Sequence, residues 1–123
     1  MIAVIFEVEP AEGQEAAYLD IAAELRPLLD GIEGFISVER FRSIANPGKV
    51  LSLSFFENED AVIRWRNTVE HRQAQARGRA GIFSGYRLRI ASVMRDYGMS
   101  EREQAPSDSR AAHASCPANC RGD

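Results

Sequence analysis

Four stretches that alternate apolar with polar residues constrain this chain most, because each must lie in a sheet and they come in a fixed order with two helical stretches. The first, Ile2 to Glu9, puts Ile2, Val4, Phe6 and Val8 on one side and Ala3, Ile5, Glu7 and Glu9 on the other, and Pro10 ends it. Residues 13–30 then carry Tyr18, Ile21, Ala22, Leu25, Leu28 and Leu29 at helical spacing, with Pro27 removing one helical hydrogen bond near the end. Gly34 to Ser43 and Lys49 to Glu57 alternate again, and Asn46-Pro47-Gly48 between them predicts a hairpin turn. In the first of these, Phe35, Ser37, Glu39 and Phe41 are expected on one face. A second helix is expected from Asn58 to Gly78, followed by a long strand over Gly85 to Tyr97.

The order strand–helix–strand–strand–helix–strand is the ferredoxin-like βαββαβ plan, an α+β fold with an antiparallel sheet and both helices on one face. That leaves a second face uncovered, and several strands are apolar on both sides, which an isolated sheet does not need. Packing that face on a second copy solves the problem, so a homodimer with a sheet-against-sheet, barrel-like interior, a dimeric α+β barrel, is expected. Residues 1–98 form the domain. Residues 99–123 are polar, Ser/Ala/Pro-rich and aperiodic, and are expected as a flexible tail.

Charge is unevenly spread. Residues 1–60 carry four basic and twelve acidic side chains, and residues 61–123 carry eleven and six. Between Ala61 and Arg95 there are eight Arg against the single acid Glu70. Arginine forks suit carboxylate or phosphate, so this run either forms a solvated face or attracts an anionic small molecule. Net charge is −3 and aromatic and basic residues do not interleave, which argues against nucleic acid as a partner. No apolar run is long enough to cross a bilayer, and the N-terminus lacks a basic leader, so the expected compartment is the cytoplasm. His113, Cys116 and Cys120 supply three of the roughly four ligands of a structural metal site, and idle thiols are the simpler reading. No phosphate-binding glycine loop, nucleophile elbow or zinc-protease motif occurs.

The second helical stretch holds the chemistry-bearing side chains. His71 titrates near neutrality and can act as a base or ligate iron, although a lone helix His also suits a surface pair with Asn67, Glu70 or Gln75. Trp65 falls in the apolar stripe with Val62 and Val69. On one regular helix Trp65 and His71 stand roughly 120° apart, so they diverge and need not share one pocket. Asn67 could orient a carbonyl, Arg64 an anion, and Tyr86 could donate a hydrogen bond. Phe6, Phe35, Phe41, Phe55 and Phe56 could line an aromatic pocket.

The strand–helix order, the hairpin phrase GFISVERFRS and the block WRNTVEHRQAQARGRAGIFSGYRLRIASV resemble the antibiotic biosynthesis monooxygenase domain over roughly Met1 to Tyr97. The resemblance implies a dimer with a pocket between the sheet and the helices of each subunit. It implies a monooxygenase that oxidises an aromatic or quinol-like molecule with O2 and requires no cofactor. In such a site His71, Asn67 and Trp65 would be catalytic, and Arg64, Phe55 and Tyr86 would bind substrate. Heme-degrading members imply a second possibility, in which heme binds and His71 ligates its iron. A non-enzymatic dimeric module that binds a small ligand is the third.

Overall fold

The computed structural model describes residues 1–113. Cys116 and Cys120 lie outside the described residues. Two compact units are present, residues 1–92 and a second beginning at Val93.

The first unit has the expected order. Its elements are β1 (Ile2–Pro10), α1 (Glu15–Asp30), β2 (Phe35–Arg42), β3 (Val50–Phe56), α2 (Glu59–Arg66), α3 (Val69–Arg77) and β4 (Phe83–Ser92). The strands form one antiparallel sheet in the order β2-β3-β1-β4. This is the ferredoxin-like arrangement.

The register fixes which side chains share a face. Arg40, Ser52, Phe6 and Leu88 stand in one row across the four strands, and Val38, Ser54, Val4 and Ile90 stand in the next but one. Both rows lie on the helix side. The opposite face carries Glu39, Leu53, Ile5 and Arg89 in one row and Ser37, Phe55, Ala3 and Ala91 in another. A register shift between Phe35 and Ser37 corrects the expected facing of β2: Phe35 pairs with Phe56 on the helix side, whereas Phe41 stays on the opposite face.

α1 buries Tyr18, Ile21, Ala22 and Leu29 of the expected stripe, whereas Leu28, also assigned to it, is 42% exposed. Leu29 joins Phe56, Ala61 and Val62 in one core cluster, with Phe35 and Trp65 packed against it. Val8, Tyr18 and Val50 form a second cluster with Phe6, Ile82 and Phe83 around it. Gly34 allows α2 to sit close to the α1–β2 turn. Its φ is +89°, and a Cβ there would lie 2.8 Å from Ala61 Cβ.

The second helical stretch is not one helix. α2 ends at Arg66 and α3 begins at Val69, so the single helix expected from Asn58 is replaced by two. Val69, assigned to the apolar stripe from its spacing, is 67% exposed. After α3 a wide turn of π-helical form, Gly78–Ile82, leads into β4, with Gly81 at φ 139°. β4 is shorter than expected and ends at Ser92. In the second unit α4 (Ser107–His113) stands where an aperiodic tail was expected. There Asp96 N donates to Gln104 Oε1 at 2.8 Å, and the Arg102 guanidinium lies 5.2 Å from the Tyr97 ring centre.

Candidate active site

The break between α2 and α3 has a local cause. Thr68 has extended backbone (φ −68°, ψ 147°) and caps α3. Its hydroxyl oxygen accepts from His71 N at 3.2 Å and donates to the carbonyl of Trp65 at 2.9 Å. One side chain thus satisfies a free N–H in the first turn of α3 and a terminal carbonyl of α2. Asn58 caps α2 in the same manner, its Oδ1 accepting from Ala61 N at 3.0 Å. Glu70 in the first turn of α3 complements the helix dipole.

The break changes what His71 can reach. Its ring centre lies 5.0 Å from that of Trp65 at an interplanar angle of 54°. The expected divergence of the two rings therefore does not occur. Both line a cavity of about 310 Å³ between the helices and the sheet, within the ~300–1,000 Å³ span of small-molecule pockets.

The two helix-side rows form the floor of this cavity, and all eight of their residues line it. Ser52 and Ser54 in the centre of the sheet are small where Phe56 beside them is large, so room remains under Trp65 and His71. Tyr18, Phe83, Phe6 and Tyr86 close one end as a cluster of rings with neighbouring centres 5.6 to 6.0 Å apart. Gly78 permits the end of α3 to rest on Phe83, since a Cβ there would fall 2.3 Å from that ring.

His71 is partly buried, and its pKa is held below the ordinary 6.5, chiefly because burial disfavours the imidazolium; the backbone carbonyl of Arg66 acts in the opposite sense, and the charges of Arg72 and Arg66 add to the lowering. Its Nδ1 lies 3.4 Å from the carbonyl oxygen of Arg66. A carbonyl only accepts, so this long contact places the proton on Nδ1 and leaves the lone pair on Nε2. The site therefore holds a neutral imidazole at neutral pH.

Of the six residues expected in a site, His71, Trp65 and Tyr86 come together in the cavity. Phe55 lies on the opposite face of the sheet, in the row with Ser37 and Ala3. Arg64 donates from Nη2 to the carbonyl of Glu33 at 2.9 Å and braces the α1–β2 turn. Asn67 ends α2, and its Oδ1 accepts from Arg72 Nη2 at 2.9 Å. Among the other expected aromatics, Phe6 and Phe56 line the cavity, while Phe35 packs in the core cluster and Phe41 is on the far face.

Sequence reasoning missed Arg40, Arg66, Arg72, Arg79 and the two serines. They come from separate elements and meet only through the sheet register. The signal for the helix break was present: Thr68, a good capping residue, stands directly before Val69-Glu70.

Among the described residues no group of three or more His, Cys, Asp or Glu could hold a metal ion. No helix there is long and apolar enough to cross a membrane.

The family model described as antibiotic biosynthesis monooxygenase matches residues 1–77. A jasmonate monooxygenase, ABM, of Pyricularia oryzae is 47% identical over 93 residues, which cover 76% of this chain and 43% of that protein. The chain thus spans less than half the length of that relative. Among solved structures, Rv0793 of Mycobacterium tuberculosis superposes with a TM-score of 0.71 at 12% identity, covering 79% of this chain and 98% of that one. A mutant form of SnoaB, a cofactor-independent oxygenase of Streptomyces nogalater, gives 0.68 at 10% identity, covering 77% and 94%. At such identities the likeness is one of fold.

The role of Thr68 is open to test. Thr68→Val removes both hydroxyl hydrogen bonds at nearly constant volume and is expected to cost about 1–2 kcal/mol, read as a lower urea midpoint with an unchanged m-value. A variant as stable as the parent would mean that the break is set by something else.

Proposed function

The chain belongs to the antibiotic biosynthesis monooxygenase family, and from that premise we propose that it is a cofactor-independent monooxygenase acting on a small aromatic or quinol-like compound. The observation that carries this reading is the neutral, partly buried His71 in ring contact with Trp65 inside a mostly apolar cavity.

The chemistry asks little more of the protein. His71 Nε2 takes a proton from a phenol or from a methylene made acidic by neighbouring rings and carbonyls. The electron-rich anion that results reacts with O2 at carbon, and the oxygenated carbon then loses water to give a carbonyl. In sum CH2 and O2 become C=O and H2O. The substrate supplies all four electrons, so no external reductant enters the balance. Apolar walls keep water from the anion and favour a neutral base.

Trp65 and Tyr86 line the space beside the base, and Phe6 and Phe56 are the other aromatic walls. Asn67 acts through Arg72, which it holds by a hydrogen bond. Arg64 and Phe55 are given no direct contact with substrate in this reading, because neither lines the cavity.

Oxygen uptake with anthrone-type compounds, whose ketone and two rings acidify a methylene, tests the proposal. Uptake is expected to be flat at high pH and to fall on the acid side with a midpoint below 6.5, since protonation of His71 removes the base. His71→Gln is expected to lower kcat by about 10²–10⁴. Turnover that survives this substitution would remove His71 from the mechanism.

The same reading includes a homodimer. Ile5, Leu51, Leu53, Phe55 and Phe41 lie together on the face away from the helices, and Phe41 is 43% exposed in the single chain. A contiguous apolar face of this kind favours a second copy over water. Sedimentation equilibrium is expected to give twice the chain mass, and Leu53→Lys to give the single mass. A monomeric parent protein would rule the dimer out.

A further inference from the structure

Two groups of basic residues in this chain contrast. Arg26, Arg42, Lys49, Arg77 and Arg89 each form an ion pair with a carboxylate. Arg40, Arg66, Arg72 and Arg79 line the cavity, come from β2, α2, α3 and the turn after α3, and form no ion pair among the described residues. Arg72 donates only to the neutral amides of Gln75 and Asn67. Among the described residues no Asp or Glu lines the cavity. Yet acids outnumber basic residues in the chain, 18 against 15. Positive charge is thus concentrated where nothing in the cavity wall neutralises it.

Arg40 is the sharpest case. It stands in the floor row beside Ser52, and its Nε is buried without a hydrogen-bond partner. A buried donor left unpaired is costly, and an acceptor on a ligand would relieve that cost. Val4, Phe6, Ile21, Leu25, Val62 and Ile90 supply apolar walls for the body of a ligand.

We propose that the cavity selects an apolar carboxylic acid and that Arg40 is the anchor for its carboxylate. This rests on the reading that the cavity is the substrate site, and it names the class of substrate. A guanidinium presents two parallel N–H groups to the two carboxylate oxygens, and Nε is one edge of that fork. The small side chain of Ser52 beside it leaves room for the pair. Arg66 and Arg79 add positive potential without a geometric demand. Anchoring the acid end at the sheet leaves the other end of the molecule for the base on α3.

Isothermal titration with 4-phenylbutyrate and with 4-phenylbutyramide, its neutral analogue, tests this. In the parent protein the acid is expected to bind about 10- to 100-fold more tightly than the amide, the range of a charge-assisted hydrogen bond of ~1.5–3 kcal/mol. Arg40→Met is expected to bring the acid down to the level of the amide. Arg40→Lys, which keeps the charge but not the fork, is expected to retain part of the preference and serves as the control for folding. Acid and amide binding alike, failure of the acid to bind, or a preference that persists in Arg40→Met would each overturn the proposal. Oxygen uptake on the same preparations separates the two readings. Acid-selective binding without uptake from any anthrone-type compound supports the carboxylate anchor and removes the oxygenase reading. Uptake from anthrone-type compounds by a protein that binds acid and amide alike overturns the anchor and leaves the oxygenase reading standing.

Discussion

The site depends on one hydroxyl group. Thr68 accepts from the first turn of α3 and donates to the last turn of α2, and the two helices part around it. Without that break the chain from Asn58 would continue as one helix, and His71 would stand well around the helix axis from Trp65. With it, the imidazole meets the indole over the sheet, and burial together with Arg66 and Arg72 keeps it neutral. A local capping interaction of modest energy thereby decides where the titratable group of the site lies and which protonation state it holds.

The sheet supplies the other half. β3 carries Ser52 and Ser54 toward the helices and Leu51, Leu53 and Phe55 away from them. Small residues on one side make a cavity, and large ones on the other make a sticky surface. The same strand therefore serves both the pocket and the face that we assign to a second copy. The register shift at Phe35 matters for the same reason: it returns Phe35 to the helix side, where it packs edge-on to Phe56 at 5.6 Å, and it sets Arg40 in the row of Ser52.

Much of the fold was legible in the sequence because it rests on periodicity. The order of strands and helices, the Asn46-Pro47-Gly48 turn, the buried stripe of α1 and the Asn58 cap follow from patterns a few residues long. The site was legible only in part. His71, Trp65 and Tyr86 could be named as rare chemistry-bearing side chains. Arg66, Arg72 and Arg79 could be counted in the basic run after Ala61 but not placed, and Arg40, in the acidic half of the chain, lines the same cavity only because the sheet forms. Phe55 was misjudged because alternation tells which residues share a face and not which face the helices cover. The helix break was missed because a stripe drawn through Val69 outweighed Thr68, whose capping chemistry competes with helix continuation.

One measurement bears most directly on the claim that the break places a neutral imidazole against the indole. Trp65 is the only tryptophan in the chain, and an imidazolium quenches indole emission more strongly than a neutral imidazole does. Fluorescence of the folded protein should therefore step down as pH is lowered, with a midpoint below 6.5, and the step should vanish in His71→Gln. Emission that does not titrate, or that titrates at or above 6.5, would contradict the account.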